Sequence, residues 1–313
     1  MICAELLQKL DTPQKHISFI LEQDARYGEA IEEIAKGFML SGDEAALVPY
    51  ENANARSAAY DRTKQYLDQV KALCADEKTQ YLLMYLFWLH CVPYAKRYYK
   101  LLHIDDEVFY ATMKDLTYKL KECEAVYGVV GVFVDWFFLL FDMKLFGLGR
   151  LEYEIKQFDY DCYCADGVKL KKGDVVYSCH IPSSGPLTQA LCLESFQKAY
   201  TFFKKDLKGT VLPVVVRSWL LYPPYQGTVF SKDSNTYRFV KLFDTIDQGT
   251  TETFAECWRV FDQHYAGTCK ELPVDTSMRR RFVDYINAGG TFGWGYGVLL
   301  YDGEQKKIIN RKA

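Results

Sequence analysis

The spacing of apolar residues changes once along the chain, near the Gly-Leu-Gly sequence at residues 147–149. Before this point apolar residues recur every three or four positions, which is the period of an amphipathic α-helix. After it, RLEYEIKQF alternates apolar and charged side chains and places Glu152 and Glu154 on one face of a predicted strand. The two periods predict different layer architectures. We therefore expect a helical domain over residues 1–146 and a second, sheet-containing domain over residues 147–313.

The first domain is predicted to be helical throughout. Residues 29–36 predict a short helix, and Asp76 predicts the N-cap of a long apolar helix that contains Pro93. The run VYGVVGVFVDWFFLLF at residues 126–141 predicts a buried helix. It is interrupted by Asp135 and is shorter than the about 20 apolar residues that a membrane span requires.

The second domain reads as a mixed β-sheet flanked by helices, an α+β or α/β arrangement. The predicted strands lie at 150–158, 160–164, 174–181, 211–222, 245–248 and 293–301, and the predicted helices at 188–206, 234–243, 253–264 and 277–288. The unit from residue 175 to residue 222 is strand, helix, strand. Its crossover is expected to be right-handed, which makes these two strands parallel.

Composition excludes several classes of function. Charged residues make up 25% and the net charge is −3, which gives no electrostatic case for nucleic acid or for an anionic membrane as partner. The ten cysteines lack zinc-binding spacing, although Cys162 and Cys164 share a face of a predicted strand, so we expect no metal. Free cysteines and an N-terminus unlike a signal peptide predict a cytoplasmic protein.

The sequence YSCHIPSSGPLTQALCLESF, residues 177–196, is a strand, a turn of small residues and a helix. Ser183, Ser184 and Gly185 would let a ligand approach their backbone amides, and the first turn of the helix adds unpaired N–H groups and a positive dipole end. The pattern favours an anion site without Lys or Arg. It lacks the P-loop lysine and three spaced glycines, and an ordinary capped turn is the alternative.

Four sequences resemble the C-terminal domain of GNAT-like acyltransferases, a bacterial group with a helical N-terminal domain: GLGRLEYE, HIPSSGPL, RSWLLYP and SKDSNTYRF. The resemblance implies that two central parallel strands splay apart and admit acyl-CoA, whose pyrophosphate lies on the turn before the central helix. The residues that the resemblance assigns to this turn are Ser183, Ser184, Gly185, Leu187 and Thr188. It also assigns Asn235 to the pantetheine arm. The usual Arg/Gln-x-x-Gly-x-Gly/Ala pattern is absent, so the assignment follows position in the fold.

Amine acylation requires a base for the acceptor, a polarised carbonyl and a proton for the leaving thiolate. His180, at the end of a predicted strand, is the first candidate for the base, although a structural hydrogen-bonding role is the alternative. Glu152 and Glu154 occupy a strand where many GNAT enzymes place a carboxylate that acts through water. Tyr222 or Tyr237 is a candidate proton donor to sulfur.

We expect transfer of an acyl group from acyl-CoA to an amine of a small molecule or peptide, by direct attack in a ternary complex. A Ser218, His180 and Asp233 triad is disfavoured because Ser218 lies in an apolar strand and not at a G-x-S-x-G turn. The second reading is a non-catalytic GNAT-fold protein that binds a CoA-like ligand or a partner.

Overall fold

Residues 2–42 and 46–310 are described by a computed structural model. Contacts within the chain cluster into two units, residues 1–147 and 148–313. The boundary falls inside strand β1 (Leu145–Leu148) and within the Gly-Leu-Gly sequence where the hydrophobic period changes.

The first unit is helical. Its longest apolar helix, α4, is buried at every residue from Leu82 to Val92, and Asp76 caps it by accepting a 2.8 Å hydrogen bond from the Thr79 amide. The predicted N-cap is therefore confirmed. The helices of this unit are α1 (Ala4–Lys9), α2 (Gln14–Leu40), α3 (Ala53–Lys71), α4 (Glu77–Leu101), α5 (Asp106–Met113), α6 (Asp115–Tyr127) and α7 (Phe138–Phe141).

The prediction of a separate short helix at residues 29–36 is wrong, because α2 runs continuously through this segment. Gly28 does not break it. A Cβ at this position would lie 2.5 Å from the Asp24 carboxylate, which pairs with His90 Nε2 at 2.7 Å. Glycine here makes room for a buried contact between two helices.

The prediction of one buried helix over residues 126–141 is also wrong. Helix α6 ends where Gly128 takes the left-handed conformation (φ +69°), an ordinary helix stop. A Cβ on Gly131 would lie 2.4 Å from the Tyr81 backbone, so this segment approaches α4 too closely for a helix with side chains. Only the four residues of α7 are helical beyond it.

The second unit contains a mixed β-sheet, as predicted. In the described part of the chain, seven strands follow the order β1-β2-β5-β6-β8-β7, with β9 paired to β8, and β3 and β4 form a separate hairpin. Strands β5 and β6 are parallel, and the pairs β2–β5, β6–β8 and β7–β8 are antiparallel. The strands are β2 (Leu151–Gln157), β3 (Cys162–Ala165), β4 (Val168–Lys171), β5 (Val175–His180), β6 (Val211–Ser218), β7 (Asp244–Thr251), β8 (Phe292–Asp302) and β9 (Lys307–Ile308).

Helix α8 packs on one face of this sheet, which we call the helix face. Tyr177 of β5 stacks on Phe203 of α8 with ring centroids 4.0 Å apart. The β3–β4 hairpin covers part of the opposite face, the hairpin face, where Val176, Val215 and Val298 share one buried cluster with hairpin residues. The helices of this unit are α8 (Gln189–Phe203), α9 (Asn235–Val240), α10 (Cys257–Phe261) and α11 (Ser277–Asn287).

Three elements are clearly shorter than predicted, among them the helix expected over 234–243, which is reduced to α9. The helix expected over 253–264 is reduced to α10. The strand expected over 211–222 ends at Ser218, whose Oγ accepts a 3.2 Å hydrogen bond from the Leu220 amide and starts a 3-10 turn. This turn lies against a row of glycines on the helix face of β8: a Cβ at Gly295 would lie 2.5 Å from the Leu221 carbonyl oxygen.

Ser195 fastens α8 to the start of the sheet. Its buried Oγ donates to the Leu148 carbonyl at 2.6 Å, accepts from the Leu151 amide at 3.1 Å and lies 3.0 Å from the Tyr153 hydroxyl. Gly149, at φ +86°, lies in the β1–β2 turn close to this contact: a Cβ on it would lie 3.4 Å from Ser195. The position of α8, and therefore of its N-terminus, depends on this contact.

We expect Ser195→Ala to lower the free energy of unfolding of the second unit by about 1–3 kcal/mol, because the Leu151 amide loses its acceptor in a buried place. Thr201→Ala, on the exposed side of the same helix, is the control and should change it by less than about 0.5 kcal/mol. Urea unfolding followed by circular dichroism measures both. Equal losses in the two variants would contradict this role.

Candidate active site

The central parallel strands of the sheet stop pairing before they end. Their only two Cα partner pairs are Tyr177 with Val214 and Ser178 with Val215. Strand β5 nevertheless continues to His180, and β6 continues to Ser218. The two strands therefore diverge at their carboxyl ends, where α/β proteins bind ligands. Their backbone groups that face this opening have no sheet partner across it.

Each diverging strand keeps its outer neighbour. His180 is still paired with Glu152 of β2, and Ser218 is still paired with Gly295 of β8. The opening is thus a local separation inside a sheet that is otherwise continuous, and its walls are held by regular strand pairing.

His180 and Glu154 form a hydrogen-bonded pair on one wall of the opening. His180 Nε2 lies 2.9 Å from Glu154 Oε2, and the side chains are 31% and 4% exposed. In the neutral ring, a carboxylate acceptor at Nε2 selects the tautomer in which Nε2 carries the proton and Nδ1 has the lone pair. Nδ1 makes no hydrogen bond to any described residue. The pair has the arrangement of a histidine base oriented by a buried carboxylate.

Glu152 shares the same face of the sheet. It lies directly opposite His180 in the strand register and is 4% exposed. Antiparallel pairing explains the grouping: alternate residues of β2 and β5 point to one face, so Glu152, Glu154 and His180 meet on the hairpin face.

The turn between β5 and α8 has bonded carbonyls and amides without an acceptor among the described residues. Arg150, which is buried, donates to three of its carbonyls: Nε to Pro186 (3.2 Å), one terminal nitrogen to Pro182 (3.0 Å) and the other to Gly185 (2.6 Å). The amides of residues 183–185 and 187–190 donate to no described group. Thr188 caps α8 by accepting from the Leu191 amide at 3.4 Å.

This turn fits an anion. Ser183, Ser184 and Gly185 are exposed, and the first turn of α8 contains no acidic residue. Leu187 is instead buried and anchors the turn. Free amides, a positive helix end and a buried guanidinium behind the carbonyls together favour a phosphate group. The assignment of these residues to a pyrophosphate remains a prediction.

The other predicted site residues lie apart from this pair. Tyr222 is on the helix face, where its ring packs against Gly293 and its hydroxyl is 2.7 Å from the Thr291 hydroxyl. Asn235 is exposed as the first residue of α9, after Ser234, whose Oγ caps the helix at the Tyr237 amide (3.1 Å). Their roles stay predictions.

Sequence reasoning missed Arg150 and the contact between His180 and Glu154. Arg150 is the first charged residue of the alternating sequence RLEYEIKQF, a pattern that predicts only a polar strand face. The only available signal was its place directly after the Gly-Leu-Gly turn. The pairing of Glu154 with His180 depends on the register of β2 and β5, which no local pattern specifies.

Within residues 2–42 and 46–310, no group of three or more His, Cys, Asp or Glu side chains could hold a metal ion. Cys162 and Cys164 are exposed, with Sγ atoms 3.4 Å apart. A search of the same residues for helices with the length and hydropathy of a membrane span finds none.

Two models of protein families match the chain. Residues 4–143 match the N-acyltransferase N-terminal domain, and residues 145–299 match the GNAT-like C-terminal domain. The chain belongs to the GNAT-like acyltransferases. The resemblance read from the sequence is thereby confirmed for both domains of this acyltransferase.

Solved structures of acyltransferases are similar in fold over most of the chain. One, in complex with decanoyl-CoA, has a TM-score of 0.65 and is 19% identical, with 94% of this chain and 86% of that chain covered. A second, in complex with decanoyl-CoA and teicoplanin, has a TM-score of 0.64 at 19% identity, and a third, in complex with CoA and 10C-teicoplanin, has 0.64 at 18%. Each of these two comparisons also covers 94% of this chain and 86% of the other. Comparison with curated proteins finds no match.

Proposed function

We propose that this acyltransferase binds acyl-CoA in the opening between β5 and β6 and transfers the acyl group to an amine by direct attack in a ternary complex. The observation that carries the proposal is the 2.9 Å contact between His180 Nε2 and Glu154 Oε2 at that opening. A buried carboxylate that fixes one ring nitrogen leaves the other free to accept a proton.

In the proposed reaction, His180 Nδ1 takes a proton from the acceptor ammonium group. The amine nitrogen then attacks the thioester carbonyl carbon, so that a C–N bond forms and the C–S bond breaks. Backbone N–H groups that face the opening beyond the last β5–β6 pair are placed to polarise the carbonyl oxygen. The CoA thiolate takes up the last proton. Tyr222 remains the predicted donor, and its bond to Thr291 would have to open first.

The phosphates of CoA are proposed to lie on the turn at Ser183–Gly185, with Leu187 and Thr188 forming its far side, and the pantetheine arm is proposed to pass Asn235. The free amides of the turn support the first assignment. The similar structures contain decanoyl-CoA, octanoyl-CoA or CoA, and two contain teicoplanin or its 10C derivative. These complexes support an acyl-CoA donor and a small-molecule acceptor.

The test is release of CoA thiol from acetyl-, octanoyl- and decanoyl-CoA with a panel of primary amines, beside calorimetric titration with the same donors. Turnover with at least one amine supports the enzyme. Tight binding of acyl-CoA without turnover across the panel would favour the non-catalytic reading, and absence of binding would contradict both.

We expect His180→Ala to lower kcat by about 10²- to 10⁴-fold, the usual contribution of a general base. The dissociation constant of decanoyl-CoA should change less than about threefold, because the side chain is not part of the phosphate turn. Glu154→Gln should also lower kcat, since an amide that donates to Nε2 reverses the histidine tautomer. Unchanged kcat in both variants would place the base elsewhere.

We expect Ser184→Asp to weaken decanoyl-CoA binding about tenfold or more, because it adds a negative charge beside the proposed phosphates. Ser184→Asn has nearly the same shape without the charge and should bind within about threefold of the unaltered protein. Calorimetry measures both. If the two variants bind alike, the phosphates do not lie on this turn.

A further inference from the structure

The second wall of the opening carries a cation. Arg217 on β6 and His180 on β5 each lie two residues beyond the last β5–β6 pair, Ser178 with Val215. Because strand side chains alternate, a step of two residues keeps the same face. Arg217 and His180 therefore border the opening from its two sides, both on the hairpin face.

The Arg217 guanidinium is held in place but not neutralised. Its Cζ lies 3.7 Å from the centroid of the Trp294 ring, so one face of the guanidinium rests on the indole. The side chain is exposed and makes no hydrogen bond or ion pair with any described residue. A stacked guanidinium keeps its edge N–H donors available, and these match two oxygens of a carboxylate or phosphate.

A second polar group next to Arg217 also lacks a partner. Tyr296, directly opposite Arg217 in the β6–β8 register, is 4% exposed, and its buried hydroxyl makes no hydrogen bond to any residue that the structure describes. Its ring lies 4.6 Å from that of Tyr160. A buried hydroxyl without a partner is uncommon in a folded protein and is a candidate ligand contact.

The nearby carboxylates are already engaged. Asp247 accepts from the Tyr160 hydroxyl at 2.7 Å and from the Gln248 amide at 2.8 Å. Asp159 pairs with Lys156 at 3.1 Å. Neither bonds Arg217, so the N–H donors of its guanidinium have no carboxylate acceptor among the described residues.

We propose that Arg217 and Tyr296 bind an anionic group, a carboxylate or a phosphate, of the amine acceptor. This rests on the proposed function, since it places the acceptor at the His180 wall. The anion could alternatively belong to CoA. The acceptor is favoured because the proposed phosphate turn and Arg217 belong to opposite faces of the sheet. The turn precedes α8, which packs on the helix face through Phe203. Arg217 is on the hairpin face.

The binding test uses stable product analogues, so it does not depend on turnover. Calorimetry compares N-decanoylglycine and N-decanoyl-β-alanine with their carboxamides, and N-decanoyl-phosphoethanolamine with N-decanoyl-ethanolamine. The unaltered protein should bind the anionic member of at least one pair about tenfold more tightly, and Arg217→Gln should abolish that preference. Lys205→Gln, an exposed charge change in the 3-10 turn that follows α8, is the control and should retain this preference.

Equal affinity within every pair for the unaltered protein would overturn the proposal, as would a preference that survives in Arg217→Gln. A further comparison of decanoyl-CoA with decanoyl-dephospho-CoA decides the source of the anion. Loss of discrimination between these two in Arg217→Gln would assign the site to the 3′-phosphate of CoA, and equal weakening of both would assign it to the pyrophosphate; either result would overturn the proposal. Absence of acyl transfer with intact preference for the anionic analogues would instead count against the proposed function alone.

Discussion

The early end of pairing between β5 and β6 is the constraint on which the site depends. A sheet normally satisfies every backbone group of its inner strands. Here two inner strands separate after Ser178 and Val215. Each remains paired on its other side, to β2 and to β8, so both strands stay in the sheet although their inner edges are unpaired. The result is a gap whose walls are held by their outer strand pairs and whose facing backbone groups are free for a ligand.

Two buried polar residues, Ser195 and Arg150, fix the position of the elements next to this gap. Ser195 ties α8 to the β1–β2 turn through both a donor and an acceptor contact. Arg150, at the same turn, donates hydrogen bonds to the carbonyl oxygens of Pro182, Gly185 and Pro186. With its carbonyls engaged behind it, the turn before α8 leaves its amides for an anion. The β1–β2 turn therefore positions both α8 beside the gap and the turn that precedes α8.

Much of the fold could be predicted from the sequence because hydrophobic periods are local. The mixed sheet, the Asp76 cap and the helix after Ser183–Gly185 all followed from such patterns. The prediction failed over residues 126–141, where close approach of Gly131 to Tyr81, a contact with a distant helix, overrides the apolar run. The site was only partly predictable for the same reason. His180 and Glu154 were both candidates, but their contact depends on strand register, and Arg150 acts through a turn 32 to 36 residues away.

A crystal structure with decanoyl-CoA tests the central claim most directly. The account predicts that the thioester lies in the gap between residues 179–180 of β5 and residues 216–218 of β6, with the pyrophosphate on the amides of Ser183–Gly185. His180 Nδ1 should then face the carbonyl carbon across a space large enough for an amine. A decanoyl-CoA molecule bound outside this gap, with β5 and β6 unchanged around it, would contradict the account.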